Sequence, residues 1–127
     1  MGGRGSASGV SVSGIKYGQE YRTVLAIDNI KFVVNVLRRS ATLPLETMSA
    51  GRNRVYVLVN SSGNIKSIGF YDKSGKKKRQ IDFTHVHQGM NPHVHIGYSH
   101  SSKGYPLSKA DEAYLRKVVR IWQSSSI

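Results

Sequence analysis

The stretch that decides the fold runs from residue 54 to residue 87 and reads RVYVLVNSSGNIKSIGFYDKSGKKKRQIDFTHVH. It contains three segments rich in β-branched and aromatic residues, a composition that favours strands. The predicted strands are 54–60, 64–72 and 79–87. Gly63 and Gly75 lie between them where hairpin turns belong, because glycine accepts the backbone conformations of tight turns. The stretch therefore predicts neighbouring antiparallel strands.

The flanking sequence extends this sheet and then changes period. Segments 30–38 and 93–98 also have strand composition, and the short loop 88–92 favours an antiparallel neighbour. Ser108 followed by Asp111 is typical of a helix start, and apolar residues recur at helical spacing to about Gln123. The predicted fold is α+β, an antiparallel meander of four to six strands with a C-terminal α-helix packed on it.

Length and composition limit the function classes. With 127 residues we expect a Gly/Ser-rich disordered tail over 1–14 and one domain over 15–127. The chain has no cysteine and no apolar run of about 20 residues, so we expect neither a disulfide scaffold nor a membrane partner, and we place the protein in the cytoplasm. Nineteen Lys+Arg against seven Asp+Glu give a net charge of +12, which points to a polyanionic partner such as nucleic acid.

All five histidines lie between residues 85 and 100. Four of them form two His-Val-His units, His85/His87 and His93/His95, and within each unit both side chains share a strand face. If 88–92 closes the hairpin, His87 lies opposite His93 and His85 opposite His95, with directly opposed Cβ atoms about 4.5–5.5 Å apart. The sequence therefore predicts four adjacent imidazoles as a candidate catalytic cluster. The alternative is a set of buried strand residues without function.

Adjacent imidazoles can supply a neutral base and a charged acid at one pH, or they can bind a divalent metal. Zinc usually draws on mixed ligand sets. The only nearby carboxylate, Asp82, is predicted on the opposite face from His85 and His87. We therefore expect no cofactor and a metal-free acid–base pair, with a divalent metal at His85, His87, His93 and His95 as the alternative.

The candidate phosphate ligands lie in the basic run that leads into the histidine-bearing strand. Lys76, Lys77, Lys78 and Arg79 follow the Ser74-Gly75 turn, and Thr84 is a further candidate donor to phosphate. Clustered cations contact phosphates readily. The alternative is a solvated loop that keeps the protein soluble.

A second pattern indicates a different enzyme. The segment NPHVHIGY (91–98) resembles the His-hydrophobic-His strand of HUH single-strand DNA endonucleases. Tyr114-Leu115-Arg116-Lys117 resembles their helical Tyr-x-x-Lys, which implies Tyr114 as the nucleophile and a divalent metal at the histidines.

Residues 54–123 together resemble the small nuclease domains of phage and polymorphic-toxin proteins, in the barnase, EndoU, colicin and RelE-like superfamily. The resemblance rests on IDFTHVHQGMNPHVHIGYSH (81–100), the basic hairpin before it and the closing helix. It implies metal-independent RNA cleavage to a 2′,3′-cyclic phosphate. RNA is thus the expected partner ahead of DNA, and a protein inhibitor is a further one. We expect His85 and His95 to be the base and acid, with His87 and His93 orienting them. A phage-associated module that binds nucleic acid or protein without catalysis is the remaining alternative.

Overall fold

A computed structural model of the chain describes residues 21–36, 43–44, 54–60, 62–82, 93–97 and 104–125. The predicted tail over 1–14 lies outside these ranges. Within them, six strands form one sheet in chain order, and a helix follows. The elements are β1 (Tyr21–Ile27), β2 (Ile30–Asn35), β3 (Val55–Val59), β4 (Ile65–Tyr71), β5 (Lys77–Asp82), β6 (His93–Ile96) and α1 (Lys109–Ser124).

The predicted α+β class is confirmed, with one departure in strand direction. Strands β3 to β6 form the antiparallel meander, and β1 pairs with β2 as an antiparallel hairpin. Strands β2 and β3 are parallel, with Ile30 opposite Val55. A parallel pair needs a crossover connection. The chain between Asn35 and Val55 therefore returns from one end of the sheet to the other.

The two turns of the meander are built alike. The Oδ1 of Asn60 accepts hydrogen bonds from the backbone N–H groups of Ser62 and Asn64, both at 3.0 Å, and Gly63 has a φ of 84°. The turn from Asp72 to Lys76 repeats this arrangement. The Oδ1 of Asp72 accepts from the N–H groups of Ser74 and Lys76, and Gly75 has a φ of 90°. An Asx side chain followed by a glycine at positive φ is a locally encoded turn. Both predicted turns are confirmed.

Helix α1 begins at the predicted cap and packs on the sheet. The Oγ of Ser108 accepts from the N–H of Asp111, whose carboxylate accepts in return from the N–H of Ser108. Val118 is fully buried, and Trp122 stacks on Phe32 of β2 with ring centroids 5.2 Å apart. In the part of the chain that the structure describes, no helix has the length and apolarity needed to cross a bilayer.

The sheet is apolar on both faces. The cluster between the sheet and α1 contains Val118 of the helix and nine buried sheet residues: Ile30, Phe32, Val55, Val57, Val59, Ile65, Ile68, Ile81 and Val94. On the opposite face, Leu43 packs on five buried sheet residues: Tyr21, Val33, Tyr56, Leu58 and Tyr71. In β3, Val55, Val57 and Val59 belong to the first cluster, and Tyr56 and Leu58 to the second, as the alternation of a strand requires.

Gly69 lies at a close packing contact on the face opposite α1. A Cβ atom at this position would lie 2.8 Å from Leu43 Cδ1 and 3.1 Å from Tyr71 Cε1. The hydroxyl of Tyr71 donates to the backbone carbonyl of Pro44, so the tyrosine cannot yield freely. Glycine at 69 therefore lets the 43–44 segment pack directly onto β4.

Gly69→Ala should lower the free energy of unfolding by about 1–3 kcal/mol, because the added methyl overpacks the contact with Leu43. Leu43→Ala removes that obstacle, so the same glycine substitution should cost less in the Leu43→Ala background. Urea unfolding of the two single variants and the double variant measures the coupling. Strictly additive losses would contradict the contact.

Candidate functional site

The site forms where β5 and β6 pair. Asp82 lies opposite His93, and Gln80 lies opposite His95. The predicted pairing of His93 with His87 and of His95 with His85 is therefore wrong. The observed partners, Asp82 and Gln80, lie five positions before the predicted ones in the sequence. The described strands are Lys77–Asp82 and His93–Ile96, and the predicted loop 88–92 lies outside the described residues. The ladder between these strands fixes which of their side chains lie opposite one another.

This register changes which face Asp82 occupies relative to the histidines. Directly opposed residues of an antiparallel pair share a face, so Asp82, His93 and His95 lie on the same side of the sheet. That side is the one opposite α1, because Ile81 and Val94 alternate with them and belong to the cluster under the helix. The expectation that Asp82 stands apart from the imidazoles is therefore wrong for His93 and His95, whereas His85 and His87 lie outside the described residues.

The Asp82 carboxylate is held by two neighbouring strands. Its Oδ1 accepts hydrogen bonds from Ser67 Oγ and from Gln80 Nε2, each 2.7 Å long. The amide oxygen of Gln80 in turn accepts from Lys77 Nζ at 2.6 Å. These four side chains are all buried. One carboxylate oxygen is thus fixed by donors from β4 and β5.

The other oxygen of Asp82 is directed toward the imidazoles. Its Oδ2 lies 3.5 Å from His95 Nε2, and the rings of His93 and His95 meet edge to face with centroids 4.8 Å apart. One potential ligand atom from each of Asp82, His93 and His95 lies within 4.8 Å of the other two. The residues are 4%, 0% and 2% exposed. We call these three side chains the buried centre.

Three of the predicted site residues belong to the part of the chain that the structure does not describe. Thr84, His85 and His87 lie outside the described residues, so the four-imidazole cluster and the proposed acid–base pair of His85 with His95 stay predictions. Of the two His-Val-His units, the structure places His93 and His95, and it brings Asp82 to them.

The lysines around the β4–β5 turn differ in burial. Lys73, Lys76 and Lys78 are exposed around the β4–β5 turn. Lys77 is 3% exposed and extends along the face of the buried centre to Gln80. Burial lowers the pKa of Lys77 from its usual 10.5 to about 8, although the charge of Asp82 opposes this shift. One member of the predicted phosphate-binding run is therefore part of the interior network.

Arg79 points to the other side of the sheet. Its guanidinium donates to Oδ1 of Asp111, the residue of the α1 capping box, and lies 4.8 Å from the centroid of the Phe70 ring. Burial raises the pKa of Asp111, but hydrogen bonds from Arg79 and Ser108 bring it below its usual value. Arg79 thus joins β5 to the helix N-terminus.

Tyr114 is separated from the histidines by the sheet. Its ring packs on Phe70 with centroids 5.2 Å apart, and it belongs to the cluster under α1. Burial raises the pKa of its hydroxyl. Since His93 and His95 lie on the opposite face, Tyr114 cannot attack a phosphate held at the buried centre in this arrangement.

Comparisons of the chain with protein-family models, with curated proteins and with solved structures found no match. The case for a function therefore comes from the chemistry of the buried centre.

Sequence reasoning missed Ser67 and Gln80 and did not bring Asp82 to His93 and His95. The available signal was the spacing of polar residues in apolar strands: Gln80 and Asp82 alternate in β5, and Ser67 interrupts β4. That spacing shows that polar side chains share a face, but only the pairing register shows which imidazoles they meet.

The low pKa of Lys77 predicts a specific dependence of stability on pH. Between about pH 8 and 10.5 the folded protein has released this proton while the unfolded chain retains it, so stability rises with pH across that window. The rise attributable to Lys77 is on the order of 3 kcal/mol.

Urea unfolding at pH 7.5 and pH 10.5 measures this difference for the native protein and for Lys77→Met, in which the contribution disappears. Lys76→Met removes an exposed neighbouring charge and should behave like the native protein. Equal pH dependence in Lys77→Met and Lys76→Met would rule out the buried ammonium.

Proposed function

We propose that this protein cleaves phosphodiester bonds in nucleic acid, RNA ahead of DNA, and that the buried centre is its reactive site. The observation that carries the proposal is the convergence of one carboxylate and two imidazoles at one end of the sheet. Asp82 and His93 form the last described pair of the β5–β6 ladder. We place this activity in the cytoplasm.

Phosphodiester cleavage in RNA makes three chemical demands. The 2′-hydroxyl must lose its proton as its oxygen attacks phosphorus, the leaving 5′-oxygen must gain a proton as its bond breaks, and charge on the phosphoryl oxygens must be stabilised. The products are a 2′,3′-cyclic phosphate and a 5′-hydroxyl. RNA is favoured because it carries this internal nucleophile, whereas DNA needs an external one.

The buried centre has groups suited to these demands. Imidazole is the side chain that exchanges protons near neutral pH, and a carboxylate oriented by two donors can hold an imidazole in a fixed tautomer. Asp82 Oδ2 lies 3.5 Å from His95 Nε2, close enough for a small side-chain rotation to make this hydrogen bond, with His93 beside it. The side-chain amide of Gln80 links the Lys77 ammonium to Asp82 by hydrogen bonds, so this ammonium adds positive charge on the same face.

The exposed lysines suit a longer substrate. Lys73 and Lys76 lie at the opposite end of β5 from Asp82, which is about 17 Å at strand spacing. They are too far away to hold the reacting phosphate, but they can contact phosphates further along a bound strand. With the net charge of +12, this supports a polymeric anion as the substrate.

Cleavage should depend on the buried centre and not on Tyr114. His95→Gln and Asp82→Asn preserve the shape of each side chain, and each should lower the RNA cleavage rate by about 10²-fold or more. Tyr114→Phe keeps the ring on Phe70 and should cleave at the native rate. A fluorescent RNA assay, with a DNA strand of the same sequence beside it, measures this after circular dichroism has shown that each variant is folded.

Two outcomes would contradict the proposal. One is intact RNA with the native protein across pH 5–8 in the presence of either Zn²⁺ or chelator. The other is a cleavage rate that His95→Gln and Asp82→Asn leave unchanged, which would indicate a contaminating nuclease.

Nucleic-acid affinity should depend on the exposed turn. Replacing Lys73, Lys76 and Lys78 by Gln should reduce the slope of log affinity against log salt by about 2, because each phosphate contact contributes about 0.7–0.9. The matched control replaces Lys109, Arg116 and Arg120, which are exposed on α1, by Gln. Fluorescence anisotropy with a labelled single strand measures both. An equal loss in the two triple variants would assign binding to overall charge and not to the turn.

A further inference from the structure

The buried centre combines the donor atoms that transition metals select in proteins. Asp82 offers a carboxylate oxygen, and His93 and His95 each offer an imidazole nitrogen. We propose that Asp82, His93 and His95 together bind one Zn²⁺ ion. In the zinc-bound protein these side chains would act as ligands, and a water on the ion would take the base role assigned above to an imidazole. This catalytic role rests on the phosphodiesterase proposed above, whereas ion binding itself does not.

The strand register makes the set of three possible. His93 and His95 are two residues apart on β6 and share a face, and pairing with β5 brings Asp82 directly opposite His93. Ligand atoms around a tetrahedral Zn²⁺ are about 3.3 Å apart, given metal–ligand distances of about 2.0–2.2 Å. Asp82 Oδ2 and His95 Nε2 are already 3.5 Å apart, and all three atoms lie within 4.8 Å of one another. Small rotations of the side chains would complete the geometry.

The surroundings of Asp82 are those of a metal ligand. Ser67 and Gln80 both donate to Oδ1, which leaves Oδ2 as the oxygen directed to the imidazoles. Metal-ligating carboxylates are typically held in this way by hydrogen bonds from outside the coordination sphere. The donors come from two strands, so the orientation of the carboxylate is built into the sheet.

Burial strengthens the argument for an ion. Buried charges in proteins are either paired or bound to metal, because an isolated carboxylate loses its hydration in the interior. Asp82 and His95 approach each other to 3.5 Å, and His93, a second imidazole that is 0% exposed, packs its ring against His95 at the same point. A cation shared by the three side chains would neutralise the carboxylate there.

The donor set selects the metal. Magnesium and calcium prefer oxygen ligands, whereas two imidazoles and one carboxylate suit zinc and its neighbours. Three protein ligands leave a fourth position open, as in catalytic zinc sites, where the metal lowers the pKa of a bound water to about 7. Within the described ranges, this is the one place where three such side chains converge. The sequence places Asp82 on the opposite face from His85 and His87, but the observed register brings it onto the face of His93 and His95, where all three can bind one ion.

Metal binding is measured on the full chain after dialysis against chelator. Calorimetric titration with Zn²⁺ should give one equivalent per chain, and Co²⁺ should give the visible absorption bands of a tetrahedral site. His95→Gln and Asp82→Asn should abolish the saturable step, and Ser67→Ala should weaken it by about 10–100-fold. Glu112→Gln, an exposed carboxylate on α1, should bind as the native protein does.

The outcomes separate this proposal from the proposed function. No saturable binding by the native chain, or binding that survives Asp82→Asn and is lost in His85→Ala or His87→Ala, overturns the metal site. RNA cleavage by metal-free protein in excess chelator also overturns the catalytic metal and leaves the phosphodiesterase standing. Stoichiometric Zn²⁺ binding without cleavage of RNA or DNA confirms the metal site and removes the phosphodiesterase.

Discussion

The pairing of Asp82 with His93 determines which side chains of this protein can act together. Because strand side chains alternate between faces, a shift of this register by an odd number of residues would move Asp82 away from both histidines. In the observed register, the carboxylate, two imidazoles and the Ser67–Gln80–Lys77 network all lie on the face opposite α1. The chemistry of the molecule depends on this ladder between β5 and β6.

The sheet separates the polar centre from the packing that supports it. Alternate residues of β5 serve the two sides: Gln80 and Asp82 build the centre, whereas Arg79 and Ile81 contact the helix or its apolar cluster. The ion pair between Arg79 and Asp111 and the contact of Phe70 with Tyr114 hold α1 against β4 and β5. The helix thus stiffens the strand that carries the carboxylate without contributing a group to the reactive face.

Local features of this fold could be predicted from the sequence, and long-range ones could not. The turns after Asn60 and Asp72 and the Ser108–Asp111 cap are encoded by residues within five positions of one another, and all were predictable. The parallel pairing of β2 with β3 depends on a long crossover that carries no local signal. The burial of Lys77 also depends on strand pairing and could not be predicted from the sequence. A run of four basic residues predicts a solvated segment, and only the three-dimensional structure shows that one of them is buried.

The repetition of one turn design has a consequence for how the chain assembles. Two short Asx–glycine turns join β3, β4 and β5, so these strands can pair through contacts close in sequence, and closing short loops costs little chain entropy. The pairing of β2 with β3 must instead wait for a connection of about twenty residues to close. Ser67, Gln80 and Asp82 all belong to the rapidly closing part of the molecule. We therefore expect the donors that orient the carboxylate to be in place early in folding, before the crossover joins the N-terminal hairpin to the rest of the sheet.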